Sequence, residues 1–283
     1  MCCIDQAIAI DTSLHHWDAR RLLGAERMKN LNGRRAIDLS SKTRSVRLED
    51  IGAQLEVRRH PGARRLTLRV SRTRRAVIVT LPLQCDLDEA GSFLNRHIDW
   101  VRARLDSLPN HVPFEDSAAM PLRGIPHIIS FTGGVRSRLI TIEKRGGQRP
   151  VILVPGDKSL APNRLTRWLF EEAKRDLVAC VESHTRPLSL QARRIAVRDQ
   201  TSRWGSCSTT GALSFSWRLI LAPPFVLDYV AAHEVAHLIE MNHGPRFWAL
   251  VKKICPEFES AKQWLQVLGP DLHRYGPAHG RGR

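Results

Sequence analysis

Residues 233 to 237 read His-Glu-Val-Ala-His, and a third histidine, His243, follows six positions later. On an α-helix, side chains four apart lie on one face, so His233 and His237 can both point at a single ion. The stretch is therefore read as a helix that brings His233 and His237 together with Glu234 beside them. The flanking residues agree. Ala222-Pro223-Pro224 leads into an apolar run from Phe225 to Ala232, as expected for a buried helix with proline in its first turn. Asn242, Gly244 and Pro245 supply turn chemistry that would end the helix and fold His243 back. Beyond them, Pro245 to Val251 reads as a second helix whose aromatic residues, Phe247 and Trp248, could pack against the first.

The spacing suits one chemistry. Zinc takes imidazole nitrogen readily, and a catalytic site uses three protein ligands so that a fourth position stays open to water. A carboxylate next to that water can take its proton and pass it to a leaving group. The expected set is thus His233, His237 and His243 around one Zn2+ per chain, with Glu234 as the catalytic base. The alternative is a helix that carries histidines for no chemical reason. It is disfavoured by the apolar surroundings, in which unpaired polar groups are costly.

A second cluster lies upstream. Arg203-Trp204-Gly205-Ser206-Cys207 falls between two strand-like runs, Arg194 to Arg198 and Ala212 to Ala222, and reads as a hairpin loop. The order strand, RWGSC loop, strand, HExxH helix, histidine turn, Phe-Trp resembles the YgjP-like metallopeptidase domain, also called the domain of unknown function 45 family. That family is related to the WLM and SprT-like zinc peptidases. The resemblance rests on Arg203 to Cys207, Trp217 to Pro224, Asp228 to Val230, His233 to Leu238, Met241 to His243 and Phe247-Trp248. Upstream it extends through Arg64 to Val70, Asp99 to Val101 and the turn Pro121 to Gly124, covering roughly residues 55 to 268. It implies zinc on His233, His237 and His243 and Glu234 as general base, and the chain departs from the pattern at none of the four. It also implies an α+β fold with a zincin-like catalytic core, an HExxH helix beside a hairpin or small sheet, and a β-rich N-terminal layer before it.

Organisation along the 283 residues follows from periodicity. Residues 1–52 show no sustained period and are expected to be a poorly ordered extension, with Met28 as an alternative start. A β-rich region with one helix is expected over 53–160, the peptidase core over 161–270 and a flexible tail over 271–283. Leu66, Leu68, Val70 and Val77, Val79, Leu81 alternate as two strands with one buried face. A helix is expected from Asp86 to Leu108 and a longer one from Asn163 to His184. Shorter strands are expected around Pro126 to Phe131, Arg138 to Glu143 and Val151 to Val154.

No run of eighteen apolar residues suits a membrane span, and the first residues, Met1-Cys2-Cys3-Ile4-Asp5, lack the basic start and apolar stretch of a secretory signal. The chain is expected in the cytoplasm. Its six scattered cysteines form no CxxC pair, which argues against a zinc ribbon or a disulfide framework. Cys207 is read as a small buried residue rather than a reactive thiol.

Charge bears on partners. The net charge is +16, and Arg58 to Arg75 alone holds eight arginines and no acid. That stretch is either a solvated strand face or a surface for nucleic acid or another anionic ligand. Several residues near the motif keep two readings. Arg203 and Trp204 line a substrate cleft, the arginine facing transition-state charge, or they hold their loop by packing. Tyr229 shares the face of His233 and either reaches the site or fills the core. His273 and Tyr275 are surface groups or late donors.

The expected activity is zinc-dependent peptide hydrolysis of a peptide or protein substrate, with Ala212 to Leu221 as an edge strand to hold it. A nucleotide or other phosphoanhydride hydrolase, a DNA-associated peptidase and a zinc-binding module without turnover are the other classes.

Overall fold

In the computed structural model, residues 53–71, 75–134, 139–144 and 146–277 are described, together with the backbone of Arg44–Leu48. The chain divides into two compact units, Met1–Pro109 and Asn110–Arg283.

The first unit is a sheet backed by two helices. Strands β1 (Arg44–Leu48), β2 (Ala53–Arg59), β3 (Thr67–Ser71) and β4 (Ala76–Leu81) lie in the order β1-β2-β4-β3. The period-two pattern directs Leu55, Leu68, Val77, Val79 and Leu81 to one face, where they bury against Phe93, Leu94, Val101 and Leu105. The single helix expected over Asp86 to Leu108 is two, α1 (Leu87–Arg96) and α2 (Ile98–Asp106). His97 leaves the helical region at φ −113° and ψ 14°, and its ring lies edge-on to Phe93 at 4.9 Å.

Two of the clustered arginines serve backbone carbonyls. Arg75 donates to the Leu105, Leu108 and Pro109 carbonyls at 3.2, 3.0 and 2.9 Å, tying down the chain where α2 ends. Arg59 donates to Leu83 at 2.7 Å and also to Cys85. Arg58 bonds Thr80 at 2.9 Å, and Arg64 and Arg65 are exposed. Arg72 and Arg74 lie outside the described residues.

The second unit starts with β5 (Val112–Pro113) and the sheet of β6 (Ala119–Leu122), β7 (Ile125–Gly133), β8 (Thr141–Glu143) and β9 (Val151–Pro155), ordered β6-β7-β9-β8. Helix α3 (Ala161–Thr185) follows. Met120, Leu122, Ile129, Ile152 and Val154 share one core with Leu165, Leu169 and Leu177 of α3. For that reason the units part at Pro109, not at residue 160: the second sheet buries its apolar face with the helices that follow it.

A smaller sheet, in the order β10-β12-β11, combines β10 (Arg194–Arg198), β11 (Gly205–Cys207) and β12 (Ala212–Ser216). The RWGSC stretch is therefore a strand and its approach rather than a hairpin loop; the turn of the hairpin comes after it, between β11 and β12. Both edges of β12 are paired, parallel to β10 and antiparallel to β11, so Ala212 to Leu221 offers no free edge. Nor does the strand run on to Ala222. Its partner β10 ends opposite Ser216, and Trp217–Leu221 winds into a buried 3-10 turn.

That turn is fixed by the Arg123-Gly124 bend between β6 and β7. Their N–H groups donate to the Ile220 and Leu221 carbonyls at 2.7 and 3.1 Å. Gly124 adopts φ 75°, and a Cβ there would come within 3.0 Å of the Pro223 backbone. Arg123 is itself clasped by Glu172 and Asp176 of α3, at 2.8 and 2.7 Å. The bend thus sets where the next helix begins.

Helices α4 (Pro224–Ala236), α5 (Pro245–Ile254) and α6 (Phe258–Val267) complete the unit. Gly269–Arg274 forms a 3-10 turn, and β13 (Tyr275–Gly276) pairs parallel to β5. Part of each end expected to be disordered is structured. Residues 44–48 pair with β2, and 271–277 are structured; 1–43, 49–52 and 278–283 lie outside the described residues. Among the described residues, no helix is long and apolar enough to cross a membrane.

Candidate metal centre

Helix α4 is apolar almost all round, with Val226, Ala231, Ala232, Val235 and Ala236 fully buried. Its position is fixed by packing, and the side chains it carries toward the surface are held to match. His233 lies in its last turn and His237 at its C-cap. The chain then turns back: Ile239 and Glu240 donate their N–H groups to the Ala236 carbonyl at 3.1 and 2.9 Å, and Gly244 to Asn242 at 2.7 Å. Pro245 restarts the helix one residue later.

This return places His243 beside the pair. The His233 and His243 Nε2 atoms are 3.0 Å apart, and one nitrogen from each of the three rings lies within 4.8 Å of the others. Two nitrogens sharing one tetrahedral zinc would stand about 3.3 Å apart. Two lone pairs at 3.0 Å repel unless a proton or a cation lies between them, so the arrangement fits a metal ion.

Electrostatics favour the same state. Burial, reinforced by the neighbouring rings, pushes His233 down to about 3. Burial also lowers His237 and His243. The rings are therefore neutral near pH 7, the form that keeps a lone pair for a metal. The Glu240 carbonyl accepts from His237 Nδ1 at 3.0 Å, which orients the ring and leaves its Nε2 for coordination. His233 Nδ1 is buried with no hydrogen-bond partner among the described residues. His237 is buried and His243 exposed, so the group opens to solvent on the His243 side.

Phe247, fully buried on α5, is the common wall behind the rings, with centroids 4.9, 4.5 and 4.7 Å from His233, His237 and His243. Replacing it with alanine is expected to lower unfolding free energy by about 3–5 kcal/mol, measurable in urea titrations. Weaker metal retention should accompany the loss, because all three imidazoles lose the same support.

Glu234 is only 5% exposed, and burial raises its carboxyl to about 8, partly countered by the Arg203 charge. Gly205 of β11 lies directly against it: a Cβ on Gly205 would be 2.7 Å from Glu234 Cγ and 2.8 Å from Cδ. Cys207, two residues on along β11, has its thiol pushed up to about 11 by burial and by Glu234. It is a neutral, part-buried side chain and not a ready nucleophile.

The remaining site candidates are placed as follows. Arg203 is exposed with its charge in reach of Glu234. Trp204 is half-buried, its ring against His273 at 5.0 Å and its carbonyl accepting from Ser216 N–H at 2.9 Å. Tyr229 is buried, edge-on to His233 at 5.9 Å and stacked on Phe258 at 6.4 Å, which makes it backing for the ring. His273 is half-buried and not a surface group.

Two contacts escape sequence reasoning. The Gly205–Glu234 approach is signalled only by a glycine inside a strand, a mark of close backbone approach. The 2.8 Å bond between His184 of α3 and Asp228 of α4 joins residues 44 apart and leaves no local trace.

Comparison with known proteins adds one assignment. The family model described as "YgjP-like, metallopeptidase domain" matches residues 64–267. Among solved structures, the chain is similar to the crystal structure of the metallopeptidase zymogen of Pyrococcus abyssi abylysin, with 22% identity and a TM-score of 0.31 over 35% of this chain and 98% of that one. No curated protein matches.

Proposed function

The chain belongs to the YgjP-like metallopeptidase family, and from that premise we propose that it is a zinc-dependent peptidase with a zincin-like core, in which His233, His237 and His243 hold the metal and Glu234 is the general base. The single observation that supports it best is the convergence of three neutral imidazoles, open to solvent on one side, with a buried carboxylate at the helix position after the first of them.

Zinc bound there would polarise a carbonyl and lower the pKa of water. The protein's own part begins with Glu234, which accepts a proton from water in the cleft at a carboxylate oxygen and delivers it to the leaving amine. Burial raises the metal-free carboxyl above its ordinary value, which favours its holding a proton between the two transfers. Phe247 excludes water from behind the rings, and the Glu240 carbonyl fixes His237. Arg203, exposed beside the carboxylate, is the candidate partner for negative charge on the reacting carbonyl.

An extended substrate has one strand edge close by. Trp204 carbonyl accepts from Ser216 and Ser208 N–H donates to Ala212, both at 2.9 Å. Along an antiparallel ladder these alternate positions face β12, so Gly205 and Cys207 turn their N–H and C=O outward. The outward edge of β11 adjoins Glu234 and suits a peptide added as a further strand.

The test is hydrolysis of casein and of nucleoside triphosphates, side by side, by the purified zinc-loaded protein with and without a chelator. Peptide cleavage that stops on chelation is expected, with no phosphate released. Phosphate release without peptide cleavage would replace this reading with a phosphoanhydride hydrolase, and metal binding with neither would leave a binding module.

A further inference from the structure

Trp204, one residue ahead of Gly205, is gripped by the end of the chain. A Cβ on Gly269 would stand 3.2 Å from its Cζ2 and 3.5 Å from its Cε2, so the 3-10 turn of Gly269–Arg274 lies flush on one part of the indole. The His273 ring meets another at 5.0 Å, tilted 41°. This turn is anchored in its own right. Tyr275–Gly276 pairs with Val112–Pro113, and the Gly276 carbonyl accepts from Phe114 N–H at 2.9 Å.

What the grip acts on is a weak element. Strand β11 is three residues long, lies at a sheet edge and is paired on one side. Such strands fray at low free-energy cost. Yet β11 carries Gly205, whose backbone lies directly against the Glu234 side chain. Trp204 is its entry point, with the backbone tied to Ser216 and the side chain tied to the C-terminal turn.

The chemistry of His273 fits a packing plate better than a proton carrier. Its Nδ1 is buried with no hydrogen-bond partner among the described residues. Burial and the nearby Arg218 push the imidazole down to about 4, so it stays uncharged in the neutral range. Arg218 is itself engaged by Asp199.

We propose that His273 is a positioning residue: its ring, with Gly269, clamps Trp204 and thereby holds β11 and Gly205 against Glu234. The catalytic consequence rests on the reading of Glu234 as general base, whereas the clamp on β11 does not. Two variants of the zinc-loaded full chain separate the possibilities, His273→Ala, which removes the plate, and His273→Phe, which keeps a flat ring without nitrogens.

In His273→Ala, amide hydrogen exchange in the segment 203–208 should accelerate about ten-fold, the mark of a loosened local unit. Per bound metal, kcat should fall about ten-fold with KM little changed, as expected when a reacting group loses alignment. His273→Phe should restore both. Unchanged exchange in His273→Ala overturns the clamp, and so does a His273→Phe protein as impaired as the alanine variant, which would give the role to a ring nitrogen. If the alanine variant does not fold, His273→Phe decides alone, with wild-type exchange and kcat upholding the clamp. A wild-type protein that cleaves no peptide would sink the peptidase reading and leave the exchange result to judge the clamp.

Discussion

Glu234→Gln is expected to abolish hydrolysis and leave the metal in place. The amide has the shape of the carboxylate, so it fits the space beneath Gly205 that the carboxylate occupies. It cannot take a proton from water, and loss of a positioned general base lowers kcat by about 10²- to 10⁴-fold. The three imidazoles are untouched, so metal content measured by atomic emission should equal that of wild type. Loss of metal with the activity would show that Glu234 is a ligand or holds the ligands, and the assigned role would be wrong.

The same variant carries a second signature when the metal is removed. In the folded chain the Glu234 carboxyl is raised to about 8 from an ordinary value of 4.5. The native state therefore holds that proton more tightly than the unfolded chain. The associated stability is fully present below 4.5 and is lost as pH rises through 8, by on the order of a few kcal/mol. Glutamine has no such slope. Metal-free Glu234→Gln should melt above metal-free wild type at pH 8 and beyond, and the gap should close toward pH 4.5. His233, lowered to about 3, works in the opposite sense in both proteins, losing stability as pH falls from 6.5 toward 3. The difference between the two melting curves thus isolates the carboxylate.

Local signals made the helices and most strands legible. Arg194–Arg198 emerges as a strand with the expected bounds, and α4 starts at Pro224, the proline that marks it in the sequence. The histidine cluster was legible because its spacing is helical and its turn residues are specific. What failed depends on partners distant in sequence. Ala212 to Ala222 looks uniformly strand-like, but extended structure needs a neighbour, and β10 supplies one only as far as Ser216. Residues 110–160 look like part of an N-terminal β layer because alternation reveals a buried face without revealing what covers it; α3 covers it. RWGSC looks like a loop because Gly and Ser score as breakers. The glycine is there for the space it leaves to Glu234, which no local propensity records.

Gly205→Ala puts that last point to a quantitative test. Gly205 does not need glycine for its backbone angles, since its φ is outside the left-handed region. The constraint is contact: a methyl group 2.7 Å from Glu234 Cγ and 2.8 Å from Cδ is far inside van der Waals distance, and one of the two must give way. Helix α4 will not, because Ala231, Ala232 and Val235 are fully buried around it. Either the Glu234 side chain swings out or β11 lifts, and both separate the base from the edge that would hold the substrate. A displacement near 1 Å is enough to cost about 10²-fold in rate. Overpacking of this kind should also remove about 1–3 kcal/mol of stability. Metal content should remain at the wild-type value, because the methyl group is aimed at Glu234 and not at the imidazoles. Gly211 is the control. It sits at φ 77° in the β11–β12 turn, and its nearest neighbour on adding a Cβ is Leu238 at 3.6 Å. Gly211→Ala should therefore lower stability through backbone strain while kcat per bound metal stays near wild type. A Gly205→Ala protein with wild-type kcat would mean that β11 does not confine Glu234, and that the base is oriented from α4 alone.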